Sequence, residues 1–355
     1  MREMTPRNRV LAALERRPHD RVPYVEHAFD LQVAIRIAGS LEKLVSDSET
    51  FERFQGLSAE AAGAIAPMEL EPDISRVVGR SNITYWGAFH PFVFGSYALD
   101  AAQASRGFNA DGLLKTRSDV KHMQFRKIDR EFWEPAHRFL ERKGAYATCA
   151  MLWLGIDPTW HSMGSEHFAV SLILDPGLVG EFLGRISDWC AEAAEGLCSL
   201  GFDYIWAADD ISYNTAPMFS PTQYRDILLP HTRRVAYCIS LPWIYHSDGN
   251  LLPILDDMLT QGMNAIHPLE PGSMDLTELY RRYGDDLSFV GNINMDTLAR
   301  GSAEEVRGEV RDRIALFAGG NGYLMSSSNS IADYCEAENV VEMVSAMNEY
   351  GVYPE

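Results

Sequence analysis

The stretch "WIYHSDGN" (243–250) places an imidazole, His246, and a carboxylate, Asp248, two residues apart where an apolar run meets a Gly-Asn turn. In an extended chain, residues i and i+2 point to the same side, so both groups can face one ion or one substrate. Polar pairs close other apolar runs as well: Glu26 and His27, Asp209 and Asp210, His267 and Glu270, Asn292 and Asn294, Ser327 and Asn329. Carboxyls gathered at one place raise each other's affinity for protons or hold a cation between them. Imidazole with carboxylate suits zinc, iron or manganese. The expected acid–base residues are therefore Asp210, His246, Asp248, Glu270 and Glu26. His246, Asp248 and Glu270 are the expected ligands if a metal is held. His27, Asp209, Asn292, Asn294 and Asn329 are expected to face substrate.

Each of these residues has a plainer use. One of Asp209 and Asp210 is expected to cap the helix that follows its strand. Glu270 precedes Pro271-Gly272 and suits a turn. Asn292 and Asn294 suit loop backbone groups. Their coincidence at successive run ends is what favours a shared site.

The elements that must position these groups repeat. Apolar runs ending in polar residues recur as "AYATCAMLWLG", "DYIWAADD", "WIYHSDGN", "NAIHPLEP", "LSFVGNIN" and "GYLMSSSN", with "RVPYVEH" near the start. An eighth, weaker run is placed at "AGAIAPME" (62–69). Between them lie amphipathic segments with helix signals. Asp175-Pro176 opens a stepped apolar pattern that Gly201 closes. Ser220-Pro221 repeats the device, and Ser302 with Glu305 forms a capping box. Eight strands alternating with helices predict an α/β (β/α)8 TIM barrel as one domain over 1–355, its active site at the C-terminal strand ends. The stretch from about 70 to 144 does not fit one unit. Its aromatic segment "ITYWGAFHPFVFGSYALD" is expected to insert over the mouth, with Tyr85, Trp86, Phe89, Phe92 and Phe94, and with Trp160 and His161 from beyond, walling a substrate.

Composition narrows the partners. The 355 residues carry 31 basic and 50 acidic side chains, a net charge of −19, which opposes nucleic-acid binding. No apolar signal core and no run of eighteen apolar residues is present, so a soluble, cytoplasmic chain is expected. The five cysteines form no C-x-x-C pair and read as buried thiols in a reducing compartment. A homodimer is the default assembly.

Six pieces in order, "TPRNRVLAALERRPHDRVPY", "SPTQYRDILLPHTRRV", "YHSDGN", "MDLTELYRRYGDDLSFVGNINMDTL", "SAEEVRGEV" and "AENVVEMV", resemble the uroporphyrinogen decarboxylase-like superfamily over nearly the whole chain. The resemblance implies a (β/α)8 barrel and one of two activities. One branch decarboxylates tetrapyrrole acetate arms with no cofactor, using an Arg-rich segment after its first strand. Here "VPYVEHAFDL" offers Glu26, His27 and Asp30 and no arginine. The other branch moves methyl groups to or from a corrinoid cobalt on a partner protein, often with zinc on His-x-Cys and a later Cys. His246 matches that histidine, while Asp248 and Asn329 stand where the two thiols would be. The resemblance thus implies a corrinoid-dependent methyltransferase acting on a small methyl donor such as a methoxylated aromatic, with zinc or another divalent metal and a separate corrinoid protein. Decarboxylation of a porphyrinogen or small acid, and a catalytically silent ligand-binding homologue, are the alternatives.

Overall fold

A computed structural model describes residues 3–55, 67–89, 91–92 and 112–353. Seven parallel strands form one sheet in chain order: β1 (Asn82–Tyr85), β2 (Ala147–Trp153), β3 (Tyr204–Ala208), β4 (Trp243–His246), β5 (Ala265–His267), β6 (Ser288–Ile293) and β7 (Tyr323–Ser327). The extended segment Pro23–Val25 reaches both edges of this sheet. Met325 N–H donates to Pro23 O and Val25 N–H to Met325 O, both at 2.9 Å, while Ser81 N–H donates to Tyr24 O at 2.7 Å. The architecture is α/β and TIM-like.

Helices start and stop where the sequence signals them. Asp175 caps Pro176–Leu200 by accepting from Leu178 N–H, and Gly201 ends it at φ +97°. The Ser302–Glu305 capping box opens Ala303–Phe317. Ser220 and Gln223 form another box at Pro221–Gln223.

Of "AGAIAPME", where the weakest strand is expected, only Pro67, Met68 and Glu69 are described. Residues 62–66 lie outside the described residues, and Met68–Leu70 is a 3-10 turn leading into helix Glu71–Val78. A strand that the sequence reading did not mark is β1, four residues long and inside the stretch expected to be an insertion. That stretch also holds helices Arg117–His122 and Arg130–Glu141. "NITY" is too short to stand out as an apolar run beside its aromatic neighbours. Of those neighbours, Trp86, Phe89 and Phe92 are described; Phe94 lies outside the described residues.

Strand alternation sorts side chains into two layers. Ile83, Ala150, Ile205, Tyr245 and Phe289 face outward into the core under the helices. Val25, Met151, Trp206, Ile244, Ala265 and Leu324 belong to the second, inner core. Two residues beyond an inward residue, the chain points inward again. That rule fixes the site, because His27, His246, His267 and Ser326 follow Val25, Ile244, Ala265 and Leu324 at that interval.

No helix of the described residues is long and apolar enough to cross a membrane. All five cysteines are free thiols; Cys149, Cys190 and Cys335 are buried, whereas Cys198 and Cys238 are only half-buried.

Candidate functional site

The inward rule brings three imidazoles from opposite sides of the ring together. The ring of His27 lies 5.0 Å from that of His246 and 5.2 Å from that of His267, and the latter two are 4.9 Å apart. His246 Nδ1 and His267 Nδ1 are separated by 2.6 Å. Trp206 packs against His27 and His267 at 5.4 and 4.8 Å. All three histidines are buried. Burial, and next the neighbouring His246, hold His27 well below the usual imidazole range. Burial, then His246 and His27, do the same to His267. Burial also lowers His246, against the pull of Asp210 and Asp157.

Beneath this floor sits Glu26, fully buried between the first segment and β7. Its carboxylate accepts from Ser327 N–H (2.8 Å), Ser327 Oγ (2.9 Å) and Ser326 Oγ (3.1 Å). Burial pushes it up to about 7 against these hydrogen bonds. Ser326 Oγ also lies 3.3 Å from His267 Nε2.

Above the floor the groups are carboxyls. His246 Nε2 faces Asp210 Oδ1 at 3.5 Å, and Asp210 Oδ1 accepts from Asp248 N–H at 3.1 Å. Asp210, His246 and Asp248 each offer an atom within 4.8 Å of the others. Asp248 Oδ2 accepts from Asn329 Nδ2 at 2.9 Å, while its Oδ1 is buried without a protein partner. Burial, then the charges of Asp210 and Glu270, push this carboxyl up to about 8. The turn presenting it depends on Gly249, at φ +84°, where an added Cβ would sit 2.6 Å from Tyr213 O.

The expected residues divide accordingly. Glu26, His27, Asp210, His246, Asp248 and Asn329 converge. Glu270 reaches Asp248 through its charge alone, and the acidic group nearest His246 and Asp248 is Asp210. Asp209, expected at substrate, is instead fully buried and takes the N–H groups of Gly155, Ile156 and Asp157, so it caps helix Ile156–Met163. Asn294 is likewise the N-cap of Met295–Arg300, accepting from Asp296 N–H. Asn292 is buried, donating to Leu269 O at 3.0 Å. Trp160 donates from Nε1 to Asp210 O at 3.1 Å and stacks on His161, whose Nε2 meets Asp157 at 3.0 Å. Trp86 lies 6.0 Å from His27 and 4.9 Å from Phe89, and Phe89 stacks on Trp153 at 4.0 Å. Sequence reasoning missed Asp157, Ser326, Trp206 and Trp153. The parity of β3 and β7 would have found Trp206 and Ser326.

A thiolate-bound zinc does not fit these residues. The positions that would carry sulfur hold a carboxyl and a carboxamide bonded to each other. Cys335 is buried, with its thiol pushed up to about 11 by burial. Oxygen and nitrogen donors do not activate a bound thiol as sulfur donors do.

The uroporphyrinogen decarboxylase (URO-D) family profile matches residues 161–350, which take in β3 to β7. The methylated-thiol–coenzyme M methyltransferase of Methanosarcina mazei is 25% identical over 158 residues, which is 43% of this chain and 41% of that protein. Among solved structures, a methyltransferase from Methanosarcina mazei superposes over 98% of this chain and 99% of its own, with a TM-score of 0.67 at 18% identity. At that identity the likeness establishes the fold. The family match spans more than half of the chain and contains His246, Asp248, His267 and Asn329: this protein belongs to the uroporphyrinogen decarboxylase (URO-D) family.

Proposed function

We propose that this protein is a methyltransferase that removes a methyl group from a small donor, such as a methoxylated aromatic or a methylated thiol, and passes it to the corrinoid of a separate partner protein. The observation that carries this reading is the meeting of Asp210, His246 and Asp248 at the strand ends, with one Asp248 oxygen left free of protein partners. The methyltransferase name of the curated relative supports it.

Methyl transfer breaks the bond between the methyl carbon and its oxygen or sulfur. The electron pair stays on the heteroatom, which leaves poorly unless a proton or cation meets it. In this reading Asp248 and Asp210 meet that atom, a role supported by the turn at Gly249 and the Asn329 amide, which hold Asp248. The rings of Trp86, Phe89 and Trp153 offer an apolar wall for the rest of the donor and keep water from it. When docked, the partner's corrinoid supplies a cobalt nucleophile for the methyl group. Such chemistry belongs in a reducing cytoplasm, which the unpaired cysteines suit.

The test is incubation with reduced cobalamin, standing in for the partner, and a panel of methoxylated aromatics and methylated thiols. Loss of the reduced-cobalamin absorbance, together with stoichiometric demethylated product, is expected for at least one donor. If every donor is inert and uroporphyrinogen is decarboxylated instead, the reading is wrong.

A further inference from the structure

The hydrogen bonds around the three imidazoles leave a specific set of lone pairs unaccounted for. His246 Nε2 faces the Asp210 carboxylate. His267 Nε2 faces Ser326 Oγ, and that hydroxyl in turn lies 3.1 Å from Glu26 Oε2. Each outer nitrogen thus leads to a carboxylate, directly or through one hydroxyl. An imidazole that donates its outer N–H to a carboxylate, carbonyl or hydroxyl keeps its other nitrogen as a lone pair; metal-bound histidines are usually oriented in this way. With that orientation His246 Nδ1 and His267 Nδ1, 2.6 Å apart, are both lone pairs, an arrangement that repels unless a proton or a cation lies between them. Beside them, His27 Nδ1 is buried and has no hydrogen-bond partner. The three residues each offer a nitrogen within 4.8 Å of the other two.

We propose that His27, His246 and His267 form a three-imidazole site for a borderline divalent cation such as Zn2+ or Co2+. The site is distinct from the carboxyl cluster, with which it shares only His246, through that residue's other nitrogen. It does not depend on the methyltransferase reading. Imidazole donors select zinc, cobalt, nickel or iron over magnesium and calcium. With metal–nitrogen bonds of about 2.0–2.1 Å, tetrahedral ligands stand about 3.3 Å apart, so loading opens the Nδ1 pair slightly. Three protein ligands leave a fourth position for a small donor. Three neutral imidazoles do not cancel the cation's charge, so that position favours an anionic oxygen or sulfur. Glu26 and Asp210, each behind one histidine, act as positioning residues.

The test uses tag-free, full-length protein dialysed against chelator and titrated with Co2+ and with Zn2+ by calorimetry and absorbance. One equivalent is expected to bind, with Co2+ giving tetrahedral-type visible bands. His27→Ala and His267→Ala, which lie outside the carboxyl cluster, are each expected to weaken binding by more than about 100-fold, beyond what outer residues contribute. Asp248→Asn stays within about threefold of wild type. X-ray absorption on the zinc-loaded wild type needs no variant and so stands even if a substitution unfolds the chain; three imidazole shells are expected. A spectrum with one imidazole and carboxylate oxygens would assign the metal to Asp210, His246 and Asp248 and overturn the proposal. So would a failure to bind either cation stoichiometrically, which would mean that the Nδ1 pair shares a proton.

Discussion

Asp203 and Asp248 are both buried or nearly so, and both flank a parallel strand, but at opposite ends. Asp203 precedes β3, and its oxygens are all taken: Oδ1 accepts from Arg7 Nε at 2.7 Å, and Oδ2 accepts from Thr148 N–H at 2.9 Å and Thr148 Oγ1 at 3.0 Å. Asp248 follows β4, accepts one hydrogen bond through Oδ2, faces two further carboxyls, and leaves Oδ1 bare. The same contrast separates the two ends of the molecule. Arg9 and Met4 clamp both oxygens of Asp20 near the chain start, while Asp210, Asp248 and Glu270 crowd like charges together at the other end. Compensated charge marks where the fold is held. Carboxyls that lack partners at the C-terminal strand ends mark where a bound ligand would offset a cost, since a buried polar group without a partner lowers stability.

Substitutions sharpen that contrast, and the largest effect belongs to the mouth. His246→Ala should lower methyl transfer by about 10²-fold or more, because His246 touches both the histidine floor and the carboxyl rim. Steady-state rates with the best donor measure this, and a melting curve close to wild type is expected alongside. Asp203→Ala should do the reverse. It removes the acceptor for two buried Thr148 donors and should cost about 2–3 kcal/mol in urea unfolding, with activity per folded molecule retained. Asp209→Ala strips the cap from Ile156–Met163 and should cost about 2 kcal/mol by the same measurement. Although burial works against its charged form, the Arg9 hydrogen bonds and charge and the Met4 N–H hold Asp20 well below the usual carboxylate range. A carboxylate depressed in the folded state contributes stability above its unfolded value, about 3.9, and that contribution is lost as pH falls through the folded value. The stability gap between wild type and Asp20→Asn should therefore be full at neutral pH and shrink in strong acid, as urea titrations at several pH values would show. The smallest effect is expected at Asn294→Ala, about 1 kcal/mol or less with no change in rate, because Asn294 caps a six-residue helix.

Much of this arrangement is legible in the sequence because parallel strands are buried on both faces. Their apolar runs are continuous, so the polar residue ending each run stands out. The helix caps at Asp175, Ser220 and Ser302 are readable for a local reason: a cap is a contact within three or four residues. β1 is not legible, since four residues between polar and aromatic neighbours carry too little pattern. The pair Asp209–Asp210 is resolved only by the parity that also places Trp206: with Trp206 and Ala208 inward, Asp210 joins the mouth and Asp209 turns to the other face, where it meets helix Ile156–Met163. The meeting of His27 with His246 and His267 joins positions more than two hundred residues apart. Local spacing cannot report it, although the inward parity of each strand contains it.

The central claim is that the uncompensated carboxyl at the mouth, unlike the compensated one at the opposite strand end, performs chemistry. Single-turnover methyl transfer to reduced cobalamin, comparing Asp248→Asn with Asp203→Asn, tests it most directly. The expected result is a loss of about 100-fold or more for Asp248→Asn in protein that melts like wild type, against an unchanged rate per folded molecule for Asp203→Asn. An Asp248→Asn protein that transfers methyl groups at the wild-type rate would contradict the account.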